Sequence, residues 1–229
     1  MVEMMEAASE EALSEMLAAS SLAPDCCVLA IPEPRAGLPA DIASILAGAL
    51  PRQLRLPQDS VRTLAHGHAG GLMALQAAAR WLSQGDFQVA LVIGVDSYHD
   101  AQTLRSLEIH RRLKSSQIRG GFPPGEAAGA TLLVRSAVAE RAGLPVLARL
   151  RSAATAMEPN PLRATEPCIG EGLTSVISAA TRGLQLPQEQ ITLTYCDLNG
   201  ERFRSEEFVF AQLRTQDAFA DANDYLSPA

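Results

Sequence analysis

No CxxC pair occurs among the four cysteines of this 229-residue chain, Cys26, Cys27, Cys168 and Cys196. That absence argues against ribbon-type zinc sites and dithiol redox motifs, and the adjacent Cys26-Cys27 stands in an apolar run like a strand core. The pattern points to a reduced, cytoplasmic protein. A basic face is missing as well. The formal net charge of −7 argues against nucleic acid as a partner, because phosphates are bound by clustered Lys and Arg. The one basic concentration, Arg105 to Arg119, is broken by Glu108 and apolar residues and reads as solvated helix and loop. Glu3, Glu6, Glu10, Glu11 and Glu15 occupy the N-terminus, where a secretory leader would be basic and then apolar. No apolar run is long enough to cross a bilayer, so a soluble chain without a membrane partner is expected. Gly120-Gly121…Gly125 lacks GxGxxG or Walker spacing, and no nucleotide or other cofactor is expected. His66 and His68 form an HxH pair, yet no third ligand stands at a recognisable spacing. No metal site is expected, and a structural or hydrogen-bonding pair is favoured.

What is present is an alternation of strands and helices. Residues 4–18 carry Met5, Ala8, Ala12 and Met16 at helical spacing with glutamates opposite, an amphipathic helix. The wholly apolar Cys26 to Ile31 predicts a buried strand. After the proline loop of Pro32, Pro34 and Pro39 comes a helix at about 40–50. Val61 to Ala65 predicts a strand that runs into His66-Gly67-His68. From Ala69 to Leu82 almost every residue is apolar, which predicts a helix buried on nearly every side. Val89 to Val95 predicts a central strand covered on both faces. A helix at about 100–113, strands at 128–134 and 145–152, a proline-rich connection at 153–170, a helix at 171–184, a strand at 191–197, the Asn199-Gly200 turn and a helix at 204–215 follow. The implied class is α/β, with parallel or mixed sheets and buried helices between them.

Three segments carry a family resemblance. His68-Ala-Gly-Gly-Leu-Met-Ala-Leu75 resembles the nucleophile elbow of thiolases and β-ketoacyl synthases, a small-residue turn of the form Cys-Ala-Ser-Gly-Leu. Ala90-Leu-Val-Ile-Gly-Val-Asp-Ser97 is similar to their strand ending in Gly-Gly-Val-Asp-Ser. Phe122-Pro-Pro-Gly-Glu-Ala-Ala-Gly-Ala130 resembles the Gly-Glu-Gly-Ala-Gly segment that enters an apolar strand. More loosely, Tyr195-Cys-Asp-Leu-Asn-Gly-Glu201 stands where ketosynthases carry His-Gly-Thr-Gly-Thr. The resemblance implies a thiolase-like layered fold over roughly residues 22–214, apparently incomplete at both ends. Residues 1–152 would form the half that carries the elbow, and 153–229 part of the second half.

In the family, a cysteine at a buried helix N-terminus attacks an acyl thioester, and the helix dipole and backbone amides stabilise the developing charge. Aligned on Gly71-Leu72, that position is His68 here, and the partner histidine maps onto Asn199. An acyl-imidazole hydrolyses readily and cannot hold an acyl chain as a thioester does. Asparagine donates a hydrogen bond but exchanges no proton near neutral pH. Cysteine-based condensation is therefore not expected. By resemblance, His68 and Asn199 are the candidate catalytic residues. Gly70, Gly71, Asp197, Glu201 and Arg202 are the candidate substrate-binding residues, and Asp96 and Glu126 are structural. The ordinary alternative is a tight Asn199-Gly200 turn inside a salt-bridged, solvated loop. The implied function is a diverged ketosynthase-like protein that binds, transfers or hydrolyses acyl thioesters of acyl carrier protein or coenzyme A. Alternatives are a non-catalytic heterodimer partner of an intact ketosynthase, like a chain-length factor, and an inactive truncated remnant. A homo- or heterodimer through Val61 to Ala65 is implied.

Overall fold

The six apolar residues Cys26–Ile31 form β1, and all six are buried. Their alternation sends Cys27, Leu29 and Ile31 to one face of a sheet and Cys26, Val28 and Ala30 to the other. The computed structural model describes residues 1–227 apart from 21, 55, 86 and 163. Within it the chain divides into two compact units, 1–103 with 125–153, and 104–124 with 154–229.

In the first unit, β1 is flanked by β2 (Val61–Ala65) and β3 (Val89–Ser97), both parallel to it. An antiparallel β4 (Glu126–Val134) pairs with β3 along its whole length. The order is β2-β1-β3-β4. The helices α1 (Val2–Ala19) and α2 (Ile42–Leu54) cover one face, with Met5, Leu46 and Leu50 packed against Leu29, Leu91 and Ile93. On the other face, α3 (Gly70–Gln84) lays Ala74, Ala78 and Leu82 against Val28, Ala30 and Val92. Each fully buried Leu, Ile or Val here contributes about 1.5–3 kcal/mol relative to exposure. The mixed sheet between helices agrees with the sequence reading.

α3 departs from expectation. Only Gly70, Ala74, Ala78 and Leu82 are fully buried, and Leu72 is 70% exposed. An alanine-rich wheel is apolar all round, but its small side chains require close packing on one face only. A Cβ on Gly70 would lie 3.3 Å from that of Ala30, which measures how closely α3 approaches β1. The expected strand at 145–152 does not form. Leu147 is 90% exposed there, since alternation describes a half-buried surface and supplies no partner edge. The chain instead turns through α5 (Ser136–Ala142) after β4, a helix the sequence reading missed.

α4 (Ala101–Ile109) carries the chain into the second unit. There α6 (Glu171–Thr181) packs on α7 (Arg202–Arg214), the crossover between parallel β5 (Ile191–Tyr195) and β6 (Phe219–Leu226). Gly170, at φ +70°, starts α6. A Cβ there would sit 2.5 Å from the Glu207 carbonyl oxygen, so glycine permits both the turn and the contact with α7. β6 was not anticipated, because Asp221, Asn223 and Asp224 depress its strand propensity and only pairing with β5 recruits it. No helix is long and apolar enough to cross a membrane among the described residues.

Candidate functional site

The carboxyl ends of parallel strands in α/β sheets collect polar loop residues, since each strand must leave the core there. In the first unit these ends are Ile31, Ala65 and Ser97. The antiparallel β4 begins at the same end, its register placing Glu126 beside Ser97. β2 runs through His66 into a 3₁₀ turn, Gly67–Ala69, that feeds directly into α3. This strand–turn–helix holds His68 on the surface at the start of a fifteen-residue helix, and His66 is exposed beside it. The Gly70 amide donates to the Gly67 carbonyl within the turn. It is therefore not the free donor to an acyl oxygen that the sequence reading expected.

Asp96 is held in place by Arg35 from the loop after β1. The two Arg35 terminal nitrogens reach its oxygens at 2.5 and 3.2 Å, and one also donates to the Ser97 carbonyl at 2.6 Å. The guanidinium lies 4.3 Å from the centre of the Tyr98 ring, a cation–π contact. Next to this clamp, Ser97 Oγ donates to Glu126 Oε2 at 2.8 Å, and His99 Nδ1 is 3.6 Å from Glu126 Oε1. Sequence reasoning missed Arg35, Ser97 and His99. The available signals were the rigid Pro32-Glu-Pro-Arg35 loop and the position of Ser97 and His99 just past an apolar strand.

The second unit groups Asp197, Asn199, Glu201 and Arg202 on the turn from β5 to α7. Glu201 is only 4% exposed. Arg112 grips it with two hydrogen bonds of 2.7 and 2.9 Å, and the Asn199 amide donates to it at 3.0 Å. Asn199 Oδ1 in turn accepts the Glu201 backbone amide at 3.1 Å. Burial alone would raise the Glu201 carboxyl. The Arg112 and Asn199 hydrogen bonds and the charges of Arg112 and Arg204 outweigh it and hold the carboxyl below the usual carboxylate range. Asp197 bonds to Arg204, and Arg202 pairs with Glu206 at 2.6 Å on the exposed side of α7.

No cysteine occurs within 61–84, the strand, turn and helix around His68. Burial pushes the Cys26 thiol up to about 11, with Asp25 adding, and Cys27 up to about 12, with Cys26 adding. Both stay protonated and inert at neutral pH. Among the described residues, one group of metal-ligand side chains converges, Glu158, Cys168 and Glu207, with candidate atoms within 4.8 Å of one another. Glu158 already accepts the Gly172 amide at 2.8 Å at the start of α6. Burial, then the charges of Glu207 and Glu158, raise the Cys168 thiol against a backbone hydrogen bond from Gly170, which keeps it a poor ligand. A cavity of about 370 Å³ lined by Gln88, Arg135 and Glu140 lies at the opposite end of β3, away from His68.

No family model and no curated protein matches the chain. Solved structures do. The ketosynthase from module 6 of the bacillaene synthase of Bacillus subtilis is 18% identical, with a TM-score of 0.72 over 97% of this chain and 41% of its own. An oxazolomycin ketosynthase domain of Streptomyces albus is 21% identical, with a TM-score of 0.66 over 98% of this chain and 42% of its own. A type II polyketide synthase ketosynthase, solved bound to a hexaketide in complex with its acyl carrier protein, is 16% identical. It gives a TM-score of 0.68 over 83% of this chain and 50% of its own. The fold is the thiolase-like fold of ketosynthases, in a chain that spans half or less of the length of these domains.

Proposed function

We propose that this protein is a diverged ketosynthase-like acyl-thioester protein that binds acyl-coenzyme A or acyl carrier protein and transfers the acyl group to water rather than condensing it. The carrying observation is His68. It occupies an exposed turn between the carboxyl end of a parallel strand and the start of a long helix, the turn that the sequence resemblance matches to the nucleophile elbow. Neutral imidazole there can donate a hydrogen bond to the thioester carbonyl or accept a proton, and the positive end of α3 favours a developing oxyanion. Gly71 is the elbow amide assigned to that oxygen. In the second unit, Asn199, the counterpart of the family's partner histidine by resemblance, has one of its two amide hydrogens engaged by Glu201.

The test is incubation with acetyl-, malonyl- and octanoyl-coenzyme A, with free thiol and protein mass followed together. Thiol release that falls by about 100-fold or more in His68→Ala is expected. No release and no adduct from any donor would remove the enzyme reading.

The edge position of β2 favours a second reading, a non-catalytic partner of an intact ketosynthase. β1 is its one neighbour among the described residues, and Arg62 and Thr63 are exposed. Such an edge is a template for a strand of another subunit.

A further inference from the structure

We infer that His99, Glu126 and Ser97 form a water-activating site in which His99 is the general base. The inference rests on the acyl-thioester reading above and deepens it, with His68 as hydrogen-bond donor and His99 as the group that delivers water.

The register of β3 and β4 pairs Ser97 with Glu126, so the two side chains lie side by side on one face of the sheet. The Ser97 hydroxyl holds Glu126 Oε2 at 2.8 Å and also accepts the His99 backbone amide at 3.2 Å. Serine thereby fixes both partners. The other carboxylate oxygen, Oε1, faces His99 Nδ1 at 3.6 Å, slightly longer than a hydrogen bond, as unliganded catalytic pairs often are. A carboxylate at Nδ1 selects the tautomer that leaves Nε2, on the far side of the ring, as the proton acceptor. The His99 side chain is 57% exposed, so water reaches it.

The neighbouring carboxylates are engaged elsewhere. Asp96 is paired with Arg35, and Asp100 accepts the amides of Gln102 and Thr103 at the start of α4. Glu126 is the carboxylate that faces the imidazole. His99 follows the carboxyl end of β3 and His68 that of β2, the two strands that flank β1, so both histidines stand at one end of one sheet.

The step balances without a cofactor. Water attacks the thioester carbonyl as its proton passes to His99 Nε2. The new C–O bond forms, the C–S bond breaks, and the departing thiolate takes the proton back from His99. A carboxylic acid and a free thiol result.

The experiment measures thiol release from acetyl-, malonyl- and octanoyl-coenzyme A by the full chain. His99→Ala is expected to lower release by about 100-fold or more, with thermal unfolding unchanged and release partly restored by free imidazole. Glu126→Gln should lower it by about 10-fold through lost orientation, with Glu126→Asp recovering part of that. If His99→Ala does not fold, His99→Gln takes its place. Wild-type release in the His99 variant, or a loss that imidazole leaves untouched while Glu126→Gln retains full activity, overturns the inference. In both cases a sensitive His68→Ala leaves the acyl-thioester reading standing. Absence of release from the unmodified chain overturns that reading together with the inference.

Discussion

Glu201 is a carboxylate almost without solvent. It is tolerated because three hydrogen bonds, two from Arg112 and one from Asn199, and the guanidinium charges of Arg112 and Arg204 converge on its carboxylate, and that makes it a pH-dependent contributor to stability. Its folded carboxyl lies below the ordinary value of 4.5. The stabilising form is therefore the ionised one. Its contribution is fully present above about pH 5 and is lost as pH falls through the lowered folded value. Glu201→Gln keeps the shape but removes the charge facing Arg112, whose side chain is 30% exposed. A loss of about 2–4 kcal/mol is expected at pH 7, below the figure for a fully buried pair because Arg112 retains some water. Urea denaturation of both proteins from pH 7 down to pH 3 should show that gap narrowing below about pH 4.5. A gap independent of pH would mean the loss is one of packing.

At the scale of the element, α3 decides how the turn that carries His68 is held. Its closed face, Gly70, Ala74, Ala78 and Leu82, lies against β1 at a spacing set by small side chains. Ala74→Leu forces methylenes into a site that is 0% exposed and should cost about 1–3 kcal/mol. Leu72→Ala, on the open side of the same helix, should stay within about 0.5 kcal/mol. Thermal unfolding of the pair checks this, and equal losses would show that α3 is buried all round, as its sequence alone implies. The same contrast explains what was legible beforehand. Cys26–Ile31 forms a strand over the span its apolar run marks, because burial on both faces leaves a local signature. Residues 145–152 carry a strand pattern without a strand, and Phe219–Leu226 form a strand without the pattern. In both, pairing partners decided, and a partner is not written in the segment itself. The candidate residues divide in the same way. His68 and the Glu201 turn are put forward by motif order alone, whereas the Ser97–Glu126 pairing exists only through an antiparallel register, and Arg35 reaches Asp96 across sixty-one residues of chain.

At the scale of the whole molecule, the burial of apolar residues is uneven. The first unit holds the sheet whose central strands β1 and β3 are packed on both faces, and every large hydrophobic cluster among the described residues lies in it. In the second unit the buried apolar residues are Leu107, Phe122, Ala211, Ala218 and Phe219. Leu193, Tyr195, Val209, Leu213 and Leu226 there are all more than 40% exposed. A two-stranded sheet with so little covered surface gains little from the hydrophobic effect, and its backbone bonds open more readily than those of a fully covered one. Native-state hydrogen exchange should therefore find the amides of Val28 to Ala30 and Ala90 to Ile93 the slowest in the chain. Those of β5 and β6 should exchange at least about 100-fold faster, a difference of roughly 3 kcal/mol in opening free energy. If the acyl carrier or a ketosynthase partner covers the exposed face of β5 and β6, adding it should slow exchange in Leu193 to Tyr195 while leaving β1 and β3 unchanged. Equal protection of both sheets in the isolated chain would show that the second unit is stabilised by something other than its own core.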